Sequence, residues 1–476
     1  MELRRRFRPQ VLWLERNGGS GLCYYPGPVA ERRAHVLELV GDWEAAEHIW
    51  RQGLEHARGK GAPGDIARTL LQLSKLLQRR GRYGEAMAQF EEAREISLAA
   101  NNRELYGQAL SGLGVVLWRQ GDCDRAAAFY EQALGIFTEI GFSEGMSTIY
   151  NNMGIIHEGR GEYAKAVACY QSKRTIDEAA GNKRGIGTVL NNLGVCLLHQ
   201  GEMARAQEMF QEKLQLEQDM GNKAGVATAL SNLGIVFRNR MEYGRANECC
   251  LRTIEIYREL GDNRGLGLTT NNLGNIYKQQ GRPREAMECY RSALAVAESQ
   301  GDRKDIAIYS GNMAQIYHHW IRDPARALEG YDRAIGILRE MNQPFHLCEH
   351  QLYRCHLLLD IGRMAGLAAE VQQARTTAEA AQRSDITFLA EVLEARLLAL
   401  SDAPAAAGRL ESLAQQTVDR HLRAEALYWL AVTSGQERHR TMALQALRAV
   451  SEMTGDPELT SRIRSLEGPA KGADAT

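Results

Sequence analysis

The feature that most constrains this chain is a period of 40 residues, carried by Asn152, Asn192, Asn232, Asn272 and Asn312. Two positions after each stand Gly154, Gly194, Gly234, Gly274 and Ala314. The same register holds Ala126, Ala166, Ala206, Ala246 and Ala286, then Tyr130, Tyr170, Phe210, Cys250 and Tyr290. Turn markers recur at Gly121, Gly161, Gly201 and Gly281, and again at Gly141, Gly181, Gly221, Gly261 and Gly301. A fixed period of this size belongs to a solenoid or propeller, where each motif buries its apolar face on its neighbours. It replaces the roughly three separate domains that 476 residues would otherwise suggest.

Helices fill each period. Between Gly187 and Gln200, Val189, Leu190, Leu193, Cys196 and Leu197 fall on one helical face. Gly201 ends that helix. A second runs from Met203 to Met220 with Ala206, Met209, Phe210 and Leu214 on one side, and Gly221-Asn222 closes it. Small residues at Gly194 and Ala206 let the two helices approach, and Phe210 fills the space beside them. Only 7% of the residues are aromatic, so the core is built from Ala, Leu, Ile, Val and Met. The expected fold is all-α, a solenoid of about ten helical hairpins.

The pattern divides the chain. Residues 1–28 are basic and then rich in Gly and Pro, a flexible lead. Residues 29–64 hold a divergent first pair around Gly41-Asp42-Trp43, with a loop over Gly59–Gly64. Residues 65–341 hold seven repeats. The seventh has one residue too many near Arg322-Asp323-Pro324, because Ala327 falls one place late. Residues 342–455 read as degenerate pairs around Gly362, Asp402 and Ser434, capping the last apolar face. Residues 456–476 read as a largely disordered tail.

Leu193-Gly194, Leu197, Ala206 and Phe210, with Leu273-Gly274, Tyr277, Ala286 and Tyr290, carry a resemblance to the tetratricopeptide repeat family. The resemblance covers residues 30–341 well. The long unit is similar to the 40-residue variant of Pins-type polarity adaptors and bacterial signalling proteins. The family proline at the end of the second helix is absent, and Gly-Asp or Gly-Asn loops stand in its place. The resemblance implies a right-handed α–α superhelix whose inner face is lined by the first helix of each pair.

Extending the helical period around Asn192 places Arg184, Thr188, Asn191, Asn192 and Val195 on one stripe, away from Leu193 and Leu197. Asn151 with Asn152, Asn232, Asn271 with Asn272 and Asn275, and Asn312 are its equivalents. A side-chain amide offers a donor and an acceptor, which match the C=O and N–H of an extended peptide. This row resembles the asparagine ladder of O-linked GlcNAc transferase and the polarity adaptors. The alternative is that each amide pins a neighbouring repeat. Arg184, Arg264 and Lys304 lie two turns before their Asn, and Arg238, Lys278 and His318 nearly two turns after theirs, so an acidic or phosphorylated segment is favoured. The chaperone-type clamp needs Lys at the positions of Asn151, Asn191 and Ser231, and Asn at those of Ile155, Val195 and Ile235. Only Asn275 fits.

Chemistry is sparse. A net charge of -1 gives no pull toward nucleic acid or anionic lipid. No apolar run is long enough to span a membrane, and Val11–Leu14 is too short for a signal peptide. Nine Cys without a C-x-x-C framework read as reduced thiols, which places the chain in the cytoplasm. His346-Leu347-Cys348-Glu349-His350 matches a zinc signature but lies within a helical repeat with no room for a protease fold. No phosphate-binding glycine loop and no G-x-S-x-G occurs. The expected protein is a non-catalytic scaffold or adaptor without cofactor or metal, a monomer or weak homo-oligomer, that binds a protein or peptide partner. A regulatory arm of a signalling complex and a self-assembling structural protein are the alternatives.

Overall fold

The computed structural model describes residues 28–454 and 457–467, and among them there is no strand. The expected lead over residues 1–28 lies outside the described residues except for Pro28, which begins a helix. Two compact units divide between Leu216 and Glu217. The first holds α1 (Pro28–Val40), α2 (Trp43–Lys60), α3 (Pro63–Arg79), α4 (Tyr83–Ala99), α5 (Arg103–Arg119), α6 (Cys123–Glu139), α7 (Ser143–Gly159), α8 (Tyr163–Ala179) and α9 (Lys183–His199). The division falls inside α10 (Met203–Asp219). The second holds α11 (Lys223–Asn239), α12 (Tyr243–Leu260), α13 (Asn263–Gln279), α14 (Pro283–Gln300), α15 (Arg303–Ile316), α16 (Pro324–Glu340), α17 (Pro344–Asp360) and α18 (Leu367–Ala380). It ends with α19 (Ser384–Leu398), α20 (Ala403–Gln416), α21 (Arg420–Ser434), α22 (Glu437–Thr454) and α23 (Pro457–Glu467). Odd-numbered helices open the hairpins and even-numbered ones close them.

The turns explain the period. At the α5–α6 corner Gly121 takes φ +89°, a left-handed conformation that costs glycine nothing, and the Asp122 amide reaches back to the Leu117 carbonyl at 3.0 Å. Asp122 then caps α6, its carboxylate accepting from the Arg125 amide at 3.1 Å. Asn182, Asn222 and Asp262 cap α9, α11 and α13 in the same way.

Close approach inside the hairpin explains Gly154, Gly194 and Gly274. A Cβ built on Gly194 would stand 2.4 Å from the Phe210 ring, on Gly154 2.5 Å from Tyr170, and on Gly274 2.6 Å from Tyr290. Each aromatic therefore lies flat on bare backbone and is itself buried. Cys250 replaces the aromatic in one repeat, and a Cβ on Gly234 would meet nothing nearer than 3.5 Å.

Two expectations are corrected and one is located. The loop expected over Gly59–Gly64 is only Gly61-Ala62, because α2 continues to Lys60 and Pro63 opens α3 with its fixed φ. The extra residue of the seventh repeat is absorbed immediately before Arg322, near where the sequence places it. Tyr317–Ile321 forms a π turn, and Arg322 closes it at φ +61°. Residues 457–467 of the expected tail form α23, whose Leu459, Ile463 and Leu466 pack on Ala424, Leu447 and Val450. Residues 468–476 lie outside the described residues.

Candidate binding face on the first helices

In the N-terminal unit the first helices turn Gly154, Ile156, Leu193 and Leu197 into the core and leave Asn151, Asn152, Asn191 and Asn192 half-buried beside them. The Asn152 amide lies in hydrogen-bond reach of the Tyr130 hydroxyl on α6. The Asn151 Oδ1 is buried without a hydrogen-bond partner among the described residues. Arg184 is exposed at the start of α9.

In the C-terminal unit Asn232 and Asn272 are half-buried, whereas Asn271 and Asn312 are buried. The Asn312 Nδ2 donates to the Asn271 Oδ1 at 2.8 Å, joining α15 to α13. Asn275 accepts from the Tyr290 hydroxyl at 2.8 Å. Asn271 and Asn312 thus do what the alternative reading describes and join neighbouring repeats, and Asn152 reaches the preceding repeat at Tyr130, while Asn275 spends its amide oxygen inside its own hairpin. The expected cations differ as well. Lys278 Nζ donates to Gln315 Oε1 at 2.7 Å, and Arg264 lies 3.8 Å from Asp302. Burial pulls the Arg238 guanidinium below its ordinary value.

Beyond Asn312 the first helices carry a linked set of charged and aromatic groups, of which the sequence reading pointed only to His318. On the π turn the His318 and His319 rings stack at 4.1 Å. His318 Nε2 lies 3.1 Å from Asp360 Oδ2, and Arg396 Nη2 lies 3.5 Å from Asp360 Oδ1. Arg396 Nη1 donates to His356 Nδ1 at 2.9 Å, with its guanidinium 3.5 Å above the Trp429 ring. Trp429 Nε1 donates to Glu425 Oε1 at 2.7 Å, and Arg462 donates to the other Glu425 oxygen. Burial holds the imidazoles of His319 and His356 down to about 3. The Asp360 and Glu425 carboxyls lie below their ordinary values, because the hydrogen bonds and positive charges around them outweigh burial. The signal that could have found this set is the one-residue insertion, which breaks the 40-residue register beside His318 and His319.

The H-x-x-E-H segment is a packing element. The His350 ring sits against Gly311, where a Cβ would be only 2.2 Å from it, and Glu349 accepts from the Tyr353 hydroxyl at 3.2 Å. Among the described residues no three His, Cys, Asp or Glu gather in a metal-holding group. Burial raises the thiols of Cys196 and Cys250 to about 12, and those of Cys249 and Cys289 to about 11, which keeps them protonated. No described helix is long and apolar enough to cross a membrane.

The sequence matches the tetratricopeptide repeat model over residues 28–99, 65–139, 145–219, 225–299 and 270–340. No curated protein sequence matches the chain. Among solved structures, a Rap protein complexed with Competence and Sporulation Factor is similar at 14% identity and a TM-score of 0.51. That match covers 81% of this chain and 99% of that one. A Signal Transduction ATPase with Numerous Domains with a tetratricopeptide repeat sensor, from Pyrococcus horikoshii, matches at 14% identity and a TM-score of 0.45. There the cover is 85% of this chain and 56% of the other. At such identities the likeness is one of fold.

Proposed function

From the premise that this chain belongs to the tetratricopeptide repeat family, we propose that it is a non-catalytic protein-interaction module whose first helices hold an extended, acidic peptide segment. The observation that carries this reading is the placement of Asn152 and Asn192 within the first unit and of Asn232 and Asn272 within the second. Each pair is half-buried at one register position on successive first helices, beside rather than within the core. Each amide can donate and accept at once, and each hydrogen bond to a peptide contributes about 0.5–1.5 kcal/mol. A few such bonds hold a main chain with little regard for its side chains. The Rap structure that shares this fold was solved with Competence and Sporulation Factor, which agrees with a ligand-holding role for such an array. Arg184, exposed at the start of α9, supplies the preference for acidic character, and the function needs no bound metal or cofactor.

The test is affinity capture of a partner from the native source, followed by Asn192→Ala combined with Asn232→Ala. The expected result is weaker partner binding at a nearly unchanged melting temperature. Asn271→Ala is the contrast, because it leaves the buried Asn312 donor unsatisfied and should cost about 1–3 kcal/mol of stability. If the double variant loses stability and binding in step, the ladder is only a pin. Recovery of an ATPase, cyclase or kinase as the partner would make the chain a regulatory arm. Concentration-dependent growth in light scattering would favour self-assembly.

A further inference from the structure

A cavity of about 360 Å³ opens between α16, α17 and α18 of the C-terminal unit. We propose that it binds a free α-amino acid, whose ammonium group meets Gln351, Asp332 and Glu370 and whose carboxylate meets Arg339. The cavity shares no residue with the asparagine row, and the proposal stands whether or not that row holds a peptide.

The first argument is an acceptor with nothing to accept. Gln351 on α17 lines the cavity and is 7% exposed, yet its Oε1 has no hydrogen-bond partner among the described residues. A buried acceptor left unmet is destabilising, and a ligand N–H in the cavity removes that cost. The second argument is a charged wall fixed in place. Arg354 Nε donates to Asp332 Oδ1 of α16 at 2.6 Å, and its Nη1 donates to Glu370 Oε2 of α18. All three residues line the cavity. Among the described residues nothing pairs with the second oxygen of either carboxylate. An ammonium group carries three N–H donors, which suits those two oxygens and the Gln351 amide together.

The opposite charge is present as well. Arg339, in the last turn of α16, lines the same cavity, is exposed and has no acidic partner among the described residues. Its planar guanidinium suits a carboxylate. Arg339 and Arg354 balance Asp332 and Glu370, so a zwitterion enters without disturbing the sum, whereas a singly charged ligand does disturb it. The third argument is Gly336 on α16, which also lines the cavity. A Cβ built there would meet nothing within 4 Å, so no close contact asks for glycine inside this helix, where it is disfavoured. Its bare backbone leaves the ligand room, and the volume lies within the range of small-molecule sites, roughly 300–1,000 Å³.

Calorimetric titration of the full chain tests the site with free glutamine, free leucine, N-acetylglutamine and glutamine α-amide. Saturable binding of a free amino acid is expected. The acetylated and amidated forms should bind roughly tenfold or more weakly, because each lacks one charged end. Gly336→Leu should abolish binding without lowering the melting temperature, since the new side chain enters open space on a helix. Gln351→Met should weaken binding roughly tenfold while the ligand-free chain melts no lower, because the unmet acceptor is gone. If Gly336→Leu unfolds early, Arg339→Gln carries the comparison, its side chain being exposed. Tighter glutamine than leucine supports the site and gives it a polar preference. The reverse supports it with an apolar one. Absence of saturable binding by both free amino acids, blocked forms that bind as tightly as free ones, or binding indifferent to the folded variants overturns it.

Discussion

At the scale of single residues, the glycines divide by what lies opposite them. Gly194 faces the Phe210 ring so closely that Gly194→Ala must push the aromatic aside, at about 1–3 kcal/mol. Gly234 faces Cys249 and Cys250 across ordinary contact distance. Gly234→Ala should therefore cost nothing or add up to about 1 kcal/mol through helix propensity. Urea unfolding of the two variants measures the contrast, and equal effects would show that the aromatic contact does not set the glycine. This pairing was legible in the sequence, because Gly and aromatic keep a constant spacing. The buried ion pair of Lys173 with Asp177 was not. Lys173 Nζ lies 2.6 Å from Asp177 Oδ2 and 2.9 Å from Ser147 Oγ, and Asn182 donates to the same carboxylate. Charged residues on a helix ordinarily read as surface, and only the packing of α7 on α8 shows these to be inside.

At the scale of elements, the π turn and α17 concentrate imidazoles that folding keeps neutral. His319 and His356 titrate near about 3, and His350 near about 4, each below the ordinary 6.5 because burial penalises the charged ring. The unfolded chain takes up these protons as pH falls below about 6.5, and the folded chain does not until near 3–4. Stability is accordingly full above pH 6.5 and drains as pH falls through that window. The lowered Asp360 carboxyl adds its own loss only below its ordinary 3.8. A melting temperature that drops between pH 7 and pH 5, and drops less in His319→Gln with His356→Gln, is the expected outcome. An identical slope in the double variant would assign the loss to other groups. The helices themselves were legible from apolar spacing and Gly or Asx caps. The π turn showed in the sequence only as one misplaced residue, because an insertion inside a helix leaves no turn residue to mark it.

At the scale of the whole molecule, a repeat array adds its stability from neighbour to neighbour, so its ends matter. Truncation after residue 454 removes Leu459, Ile463 and Leu466 from Ala424, Leu447 and Val450. Roughly 3 kcal/mol of local stability should be lost, with new self-association seen by light scattering and an unchanged transition for the N-terminal unit. A truncated chain that stays monomeric and melts as before would show that α23 covers nothing important. The seven regular hairpins were legible because each repeats its neighbour. The charged set beyond Asn312 was not, because His318 and Asp360 stand 42 residues apart, off the 40-residue period, and no regular repeat carries a pair like Arg396 with His356. The π turn has a practical consequence for anyone splicing such arrays. A chimaera that joins early hairpins of this chain to late ones must bring Tyr317–Arg322 along. Without that segment Asp360 loses the His318 imidazole that the π turn sets against it, and a graft that matches motif for motif breaks the charged row at its first member.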